Sequence, residues 1–175
     1  MVNSRLIFLV TVLIISEAIA DECKLGNRKF CLLIDDAHEM NGDSLELMEG
    51  ELDGNGKKAL DLADKIVGAV QKAEKQQLMP ALKNAIKAQL SAFVQVKADC
   101  FTLGESYNKT CEELCFQVAF VVAELIQAII EVHPNEEKKT EIEGIFSRLV
   151  IYERGEVPGF ENAAYAVGKE ILAII

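Results

Sequence analysis

Tryptophan is missing from this 175-residue chain, histidine occurs twice, and proline only three times. With His38 and His133 as the whole supply of imidazole, a conventional hydrolytic site is poorly provisioned. No G-x-S-x-G elbow, phosphate-binding loop or dinucleotide fingerprint occurs, so the chain is not expected to be an enzyme and no cofactor is implied. Basic residues are also in deficit: 18 Lys and Arg stand against 28 Asp and Glu, a formal net charge of −10. That balance argues against nucleic acid as a partner and against adsorption to an anionic membrane face. Strand-like alternation is absent over any useful length, as are internal repeats and low-complexity segments. Beyond the first 20 residues no apolar run is expected to reach the roughly 18–20 residues of a membrane span. The longest candidate, residues 118–132, is interrupted by Glu124, Gln127 and Glu131.

What is present begins with residues 1–20, which read as a secretory signal peptide. Arg5 supplies the positive start, residues 6–15 are almost unbroken apolar, and Ala18-Ile19-Ala20 gives the small-x-small cleavage pattern. Removing 20 of 175 residues leaves 155, residues 21–175, enough for one domain with a real core. The expected product is a secreted, extracellular, soluble protein.

Export makes disulfides the default for Cys23, Cys31, Cys100, Cys111 and Cys115. The count is odd, so at most two bridges close within the chain and one thiol is left buried, free or available for a disulfide-linked dimer. Cys111 and Cys115 are four apart, on one helix face. The preferred expectation joins Cys23 or Cys31 to Cys111 or Cys115, with Cys100 to Cys111 or Cys115 as the second bridge. Neither histidine stands at finger-like spacing from a cysteine pair, so no metal site is expected. The arm Cys23-Lys-Leu-Gly-Asn-Arg-Lys-Phe-Cys31 resembles the N-terminal cysteine pair of the plant invertase and pectin-methylesterase inhibitors, which are secreted helical bundles. Cys100, Cys111 and Cys115 lie too close together to reproduce that family's second, wide-spaced bridge. The Cys111-x-x-x-Cys115 spacing resembles the insect odorant-binding fold, whose other spacings are not met. No residue role is carried over from either.

Helical periodicity dominates the remainder. Residues 21–42 form an N-terminal arm of helical leaning, and residues 44–52 a short acidic helix closed by Gly54-Asn55-Gly56. Residues 57–77 place Ala59, Leu62, Ala63, Ile66, Val67, Val70 and Ala73 on one face. Pro80 suits the first turn of a helix running to about Asp99, with Leu82, Ile86, Leu90, Phe93 and Val94 inward. Thr110-x-x-Glu113 reads as a capping box opening a helix over residues 111–133. That helix is apolar almost all round and should therefore be central. Pro134 ends it. Residues 135–153 form a further helix with Ile142, Ile145, Phe146, Leu149 and Val150 inward and Gly155 as its C-cap. Pro158-Gly159 turns the chain into a last helix over residues 160–175. The fold class is all-α: a single disulfide-braced helical bundle of about five main helices.

Three motifs carry chemical interest. Asp53-Gly54-Asn55-Gly56 resembles the middle of a calcium loop, but Leu62 at its closing position cannot ligate, so a glycine turn is expected. Asp35, Asp36, His38, Glu39 and Asp43 crowd together, and a solvated surface is expected rather than a metal site. Asn108-Lys109-Thr110 is the one N-x-S/T sequon and a glycan acceptor in a loop. The functional expectation is a secreted, non-catalytic binding protein carrying a small hydrophobic or lipid ligand. The alternative is a secreted protein–protein interaction module, such as an effector, enzyme inhibitor or venom-type component. Its partner is then an unknown extracellular protein.

Overall fold

The computed structural model describes residues 26–49, 52, 54–102, 108–149 and 159–175. The expected leader, Cys23, Val150, Gly155 and Pro158 lie outside the described residues. The described chain is all-α: α1 (Arg28–Leu47), α2 (Asn55–Val70), α3 (Leu78–Phe101), α4 (Asn108–Val132), α5 (Glu136–Phe146) and α6 (Phe160–Ile174), with 3-10 turns at Lys75–Gln77 and Ser147–Leu149. These are six α-helices among the described residues rather than the five main ones expected. The difference is α1, which runs unbroken through Gly42 where two fragments were expected. A mid-helix glycine costs about 1 kcal/mol relative to alanine. Complete burial of Phe30, Ile34 and Ala37 on the same helix outweighs it. The start is fixed locally, since the Asn27 side chain accepts a hydrogen bond from the Phe30 N–H at 3.1 Å.

The first four helices run up and down in turn. Gly56 at the start of α2 meets Val96 and Asp99 near the end of α3, so that pair is antiparallel. Ser44 of α1 donates to Gln117 of α4, while Lys29 pairs with Glu131, so α1 and α4 are antiparallel too. Helix α1 lies against α2 and α4, and α3 lies against α2 and α4, which closes a four-helix arrangement. Helix α6 packs across α4 and α3, and α5 touches α4 and α6. As expected, α4 is the central element: Leu114, Val118 and the unbroken stretch from Val121 to Ile126 are all buried. Its segment Lys109–Val132 is in fact long and apolar enough to cross a membrane by length and composition, with an 18-residue stretch of mean hydropathy 1.9, contrary to the reading of its polar interruptions. Here that apolar surface is largely covered by neighbouring helices.

Close approach explains two glycines. A Cβ on Gly56 would fall 2.8 Å from the Val96 Cα, a backbone atom that cannot move aside. The Gly56 N–H donates to Asp99 Oδ2 at 2.7 Å, placing a carboxylate on the positive end of α2. The glycine turn is therefore a helix start held by α3, in keeping with its expected structural role. A Cβ on Gly168 would fall 2.8 Å from Val122 Cγ1, so this residue lets α6 sit directly on α4.

Within the apolar interior of the described residues sits a polar layer. Asn41 of α1 and Gln89 of α3, both fully buried, exchange amide hydrogen bonds at 3.2 and 2.8 Å across the diagonal of the four helices. Gln89 Nε2 also donates to the Val118 carbonyl of α4 at 3.1 Å. No buried side-chain nitrogen or oxygen among the described residues lacks a partner. Gln89→Leu strands the Asn41 amide and should cost about 1–3 kcal/mol in urea unfolding. Asn41→Leu/Gln89→Leu should recover most of that loss, because both polar groups go together; equal destabilisation by the single and double variants would contradict this account.

Candidate functional site

The cysteines come first because they brace one end of the molecule. Cys100, in the last turn of α3, is bonded to Cys111, in the first turn of α4, with Cα atoms 5.7 Å apart. The bridge closes an 11-residue separation across the α3–α4 connection, where such a link typically contributes about 2–4 kcal/mol. It realises the second of the two expected bridges. The expected tie from the N-terminal arm to α4 does not form: Cys111 is taken by Cys100, and Cys115 is a free thiol. Cys31 is disulfide-bonded as well. The geometric reason is direction. Antiparallel packing sends the start of α1 toward the end of α4, where Lys29 meets Glu131, far along the helix from Cys111.

Cys115 lies one turn beyond the bridge and is half-buried. Burial pushes its thiol above the ordinary range, Lys97 opposes that shift, and Glu161 adds to it. A thiol held protonated at neutral pH is a poor nucleophile, and therefore a poor hand for an interchain bridge. The sequon also moves. Asn108 begins α4, three residues earlier than the capping box suggested, so it sits on a helical first turn rather than in a loop.

The acidic cluster of α1 is dispersed by the packing. His38 Nδ1 lies 2.6 Å from Asp64 Oδ1 of α2, and Asp35 accepts a hydrogen bond from Gln71. Asp36 faces outward, with its carboxyl raised by partial burial and by neighbouring Asp35. No group of three or more metal-ligating side chains converges among the described residues. Of the cluster, Asp35 and His38 tie α1 to α2.

One concave feature among the described residues is an open groove of about 460 Å³ between α2 and α3. Ala59, Leu62 and Ile66 form one wall; Asn84, Lys87, Ala88 and Ser91 form the other. Spacings of three and four residues put each set on one helix face. Leu62 was expected inward, yet its side chain is 58% exposed, while Leu60 is fully buried in its place. The cause is rotation of α2: it is covered by α1 on one side and α3 on the other, and the stripe Leu60, Ala63, Val67 and Val70 bisects those neighbours. The periodic apolar set was wider than the core needed, and the surplus became a groove wall. Val94 of α3 is displaced outward in the same way.

A second apolar feature lies at the disulfide end. Phe116, Phe120 and Phe160 cluster with ring centroids 5.1–5.9 Å apart, and Phe116 remains 44% exposed. Phe101, adjoining Cys100, is 80% exposed. In comparison with known proteins, no family profile, curated protein or solved structure matches the chain.

The Cys115 environment has a pH consequence. Because its folded thiol ionises later than an unfolded one, the native state retains a proton that the unfolded state loses above about pH 8.5. Its contribution to stability should therefore be full at neutral pH and fall as pH rises past that point. Chemical-denaturation midpoints of wild type and Cys115→Ala, compared at pH 7 and pH 10, should converge or cross at the alkaline end; parallel curves would exclude the effect.

Proposed function

We propose that the protein is a secreted, non-catalytic binding protein whose α2–α3 groove takes a small amphiphile with an apolar chain and an anionic head. The observation that carries this reading is the groove's make-up. Aliphatic Ala59, Leu62 and Ile66 face a wall bearing Lys87, Asn84 and Ser91, and about 460 Å³ lies between them. Small-ligand sites generally combine a mostly apolar lining with a few placed polar groups, in volumes of about 300–1,000 Å³. The Lys87 ammonium supplies a point charge for a carboxylate, and Ser91 and Asn84 supply hydrogen-bonding groups beside it. This differs in place from an expectation of carriage inside the bundle. The interior is filled by Leu82, Ile86, Leu125, Ile126 and Ile129, all fully buried, so an interhelical surface site is preferred.

The exposed Phe101 and Phe116 favour a second reading, a protein-interaction module using the disulfide end. Aromatic side chains dominate interface hot spots. Export underlies both readings and predicts that protein recovered from the medium of secreting cells begins at Asp21.

Titration with a fluorescent fatty acid tests the groove. Saturable one-site uptake is expected, with Leu62→Asp abolishing it and Lys87→Gln weakening the carboxylate by about three- to tenfold relative to the matching alcohol. Absence of uptake, or uptake unchanged in Leu62→Asp, would remove the groove reading and leave the aromatic end as the site to pursue.

A further inference from the structure

Charge in this molecule is segregated. Residues 55–101, which contain α2 and α3, hold eight lysines against four acidic residues, a formal +4 within a chain of −10. Residues outside that stretch therefore sum to −14. Two of the four acids are drawn off this face, Asp99 to the Gly56 N–H and Asp64 to His38 of α1; Asp61 stays on the surface in an exposed pair with Lys65, which partly offsets that lysine. Helix α3 has a single acidic residue in 24, and it is Asp99. Its outward side carries Asn84, Lys87, Ser91, Val94 and Ala98, with Lys83 on the flank. On α2, exposed Lys58 and Lys65 stand seven residues apart, so they share a face, with exposed Leu62 beside them.

Lysines framing exposed aliphatic side chains form a surface with two complementary demands. The ammonium groups seek phosphate or carboxylate charge, and Leu62 and Val94, 58% and 43% exposed, seek removal from water. An anionic bilayer meets both at once. Its headgroups receive the ammonium groups, the lysine stems pack along the boundary, and the aliphatic tips reach the acyl region. A sulfated polysaccharide or an acidic peptide segment meets only the first demand. We propose that the exposed α2–α3 face docks on anionic lipid bilayers. The net charge of −10 does not oppose this, because the field at a surface is set by charges within about 10 Å of it in 0.1 M salt. Leu62 is shared with the groove, but Lys58, Lys65, Lys83 and Val94 do not line it, so the docking face is tested through those four residues independently of a groove ligand.

Co-sedimentation of the soluble protein, expressed from the full sequence, with phosphatidylglycerol-rich and with pure phosphatidylcholine vesicles tests it. Salt-sensitive binding to the anionic vesicles alone is expected. Lys58→Gln/Lys65→Gln/Lys83→Gln should weaken it about 100-fold, at roughly fivefold per lysine. Val94→Ser should weaken it roughly tenfold. Circular dichroism and fatty-acid uptake should be unchanged in both variants. Binding to neither vesicle, equal binding to both, or a lysine-dependent preference for a sulfated polysaccharide indifferent to Val94→Ser would overturn the proposal. Vesicle binding without fatty-acid uptake would instead remove the groove ligand and leave the docking face standing.

Discussion

Everything in this fold answers to the need to cover α4. A 25-residue helix that contains an 18-residue stretch of mean hydropathy 1.9 must have most of its surface covered to stand in water. Helices α1 and α3 flank it, α6 lies along it, and α5 closes against its far end. Coverage on so many sides requires close backbones, which is why small residues recur where helices meet: Gly168 under Val122, and buried Ala119, Ala123 and Ala128 on α4 itself. These alanines suggest room for a ligand when read along the chain. In space they are the condition for helix contact.

Apolar packing alone would leave the rotation of each helix loosely set, because hydrophobic attraction has no direction. The Asn41–Gln89 pair supplies direction. Its two amide bonds, with the third to the Val118 carbonyl, are satisfied in one relative alignment of α1, α3 and α4. A slip of one turn would bury several unpaired polar atoms at about 1–3 kcal/mol each. The Cys100–Cys111 bridge adds a covalent limit where α3 passes into α4, and the Asp99–Gly56 contact performs the same service where α2 starts beside α3. Alignment is thus fixed at the middle and at one end, leaving the outward faces of α2 and α3 less constrained.

How far the chain alone could be read follows from that hierarchy. The all-α class, the centrality of α4 and the boundaries of α3 and α6 were visible, because periodicity and proline placement act locally. Leu62 and Val94 were misplaced inward because a helical stripe shows which residues are apolar but not how many neighbours will share them. The arm and the short acidic helix read as two fragments because the cost of Gly42 between them is local and the burial that outweighs it is not. The bridge from Cys100 to Cys111 was legible because the two lie close in sequence, whereas the tie from the arm to α4 failed for a topological reason: antiparallel α1 and α4 carry Lys29 to Glu131, away from Cys111 and Cys115. The amide pair left no local signal at all, with 48 residues separating its members.

The same reasoning applies to charge, where the sequence total misleads most. A figure of −10 describes a protein that an isotropic partner would meet, yet folding sorts the residues by helix. Asp35 of α1 accepts from Gln71 of α2, and Asp64 of α2 is drawn to His38 of α1. The one acid of α3 is drawn to the amide of Gly56. These withdrawals serve stability, since each places a carboxylate against a donor or a positive helix end. Their consequence is a cationic outer face with surplus aliphatic residues, on the one pair of helices that α4 does not keep closed on every side. The groove and the lysine face therefore have a common origin: interactions that settle the interior determine which polar and apolar groups remain outside, and the remainder is what a ligand or a surface can meet.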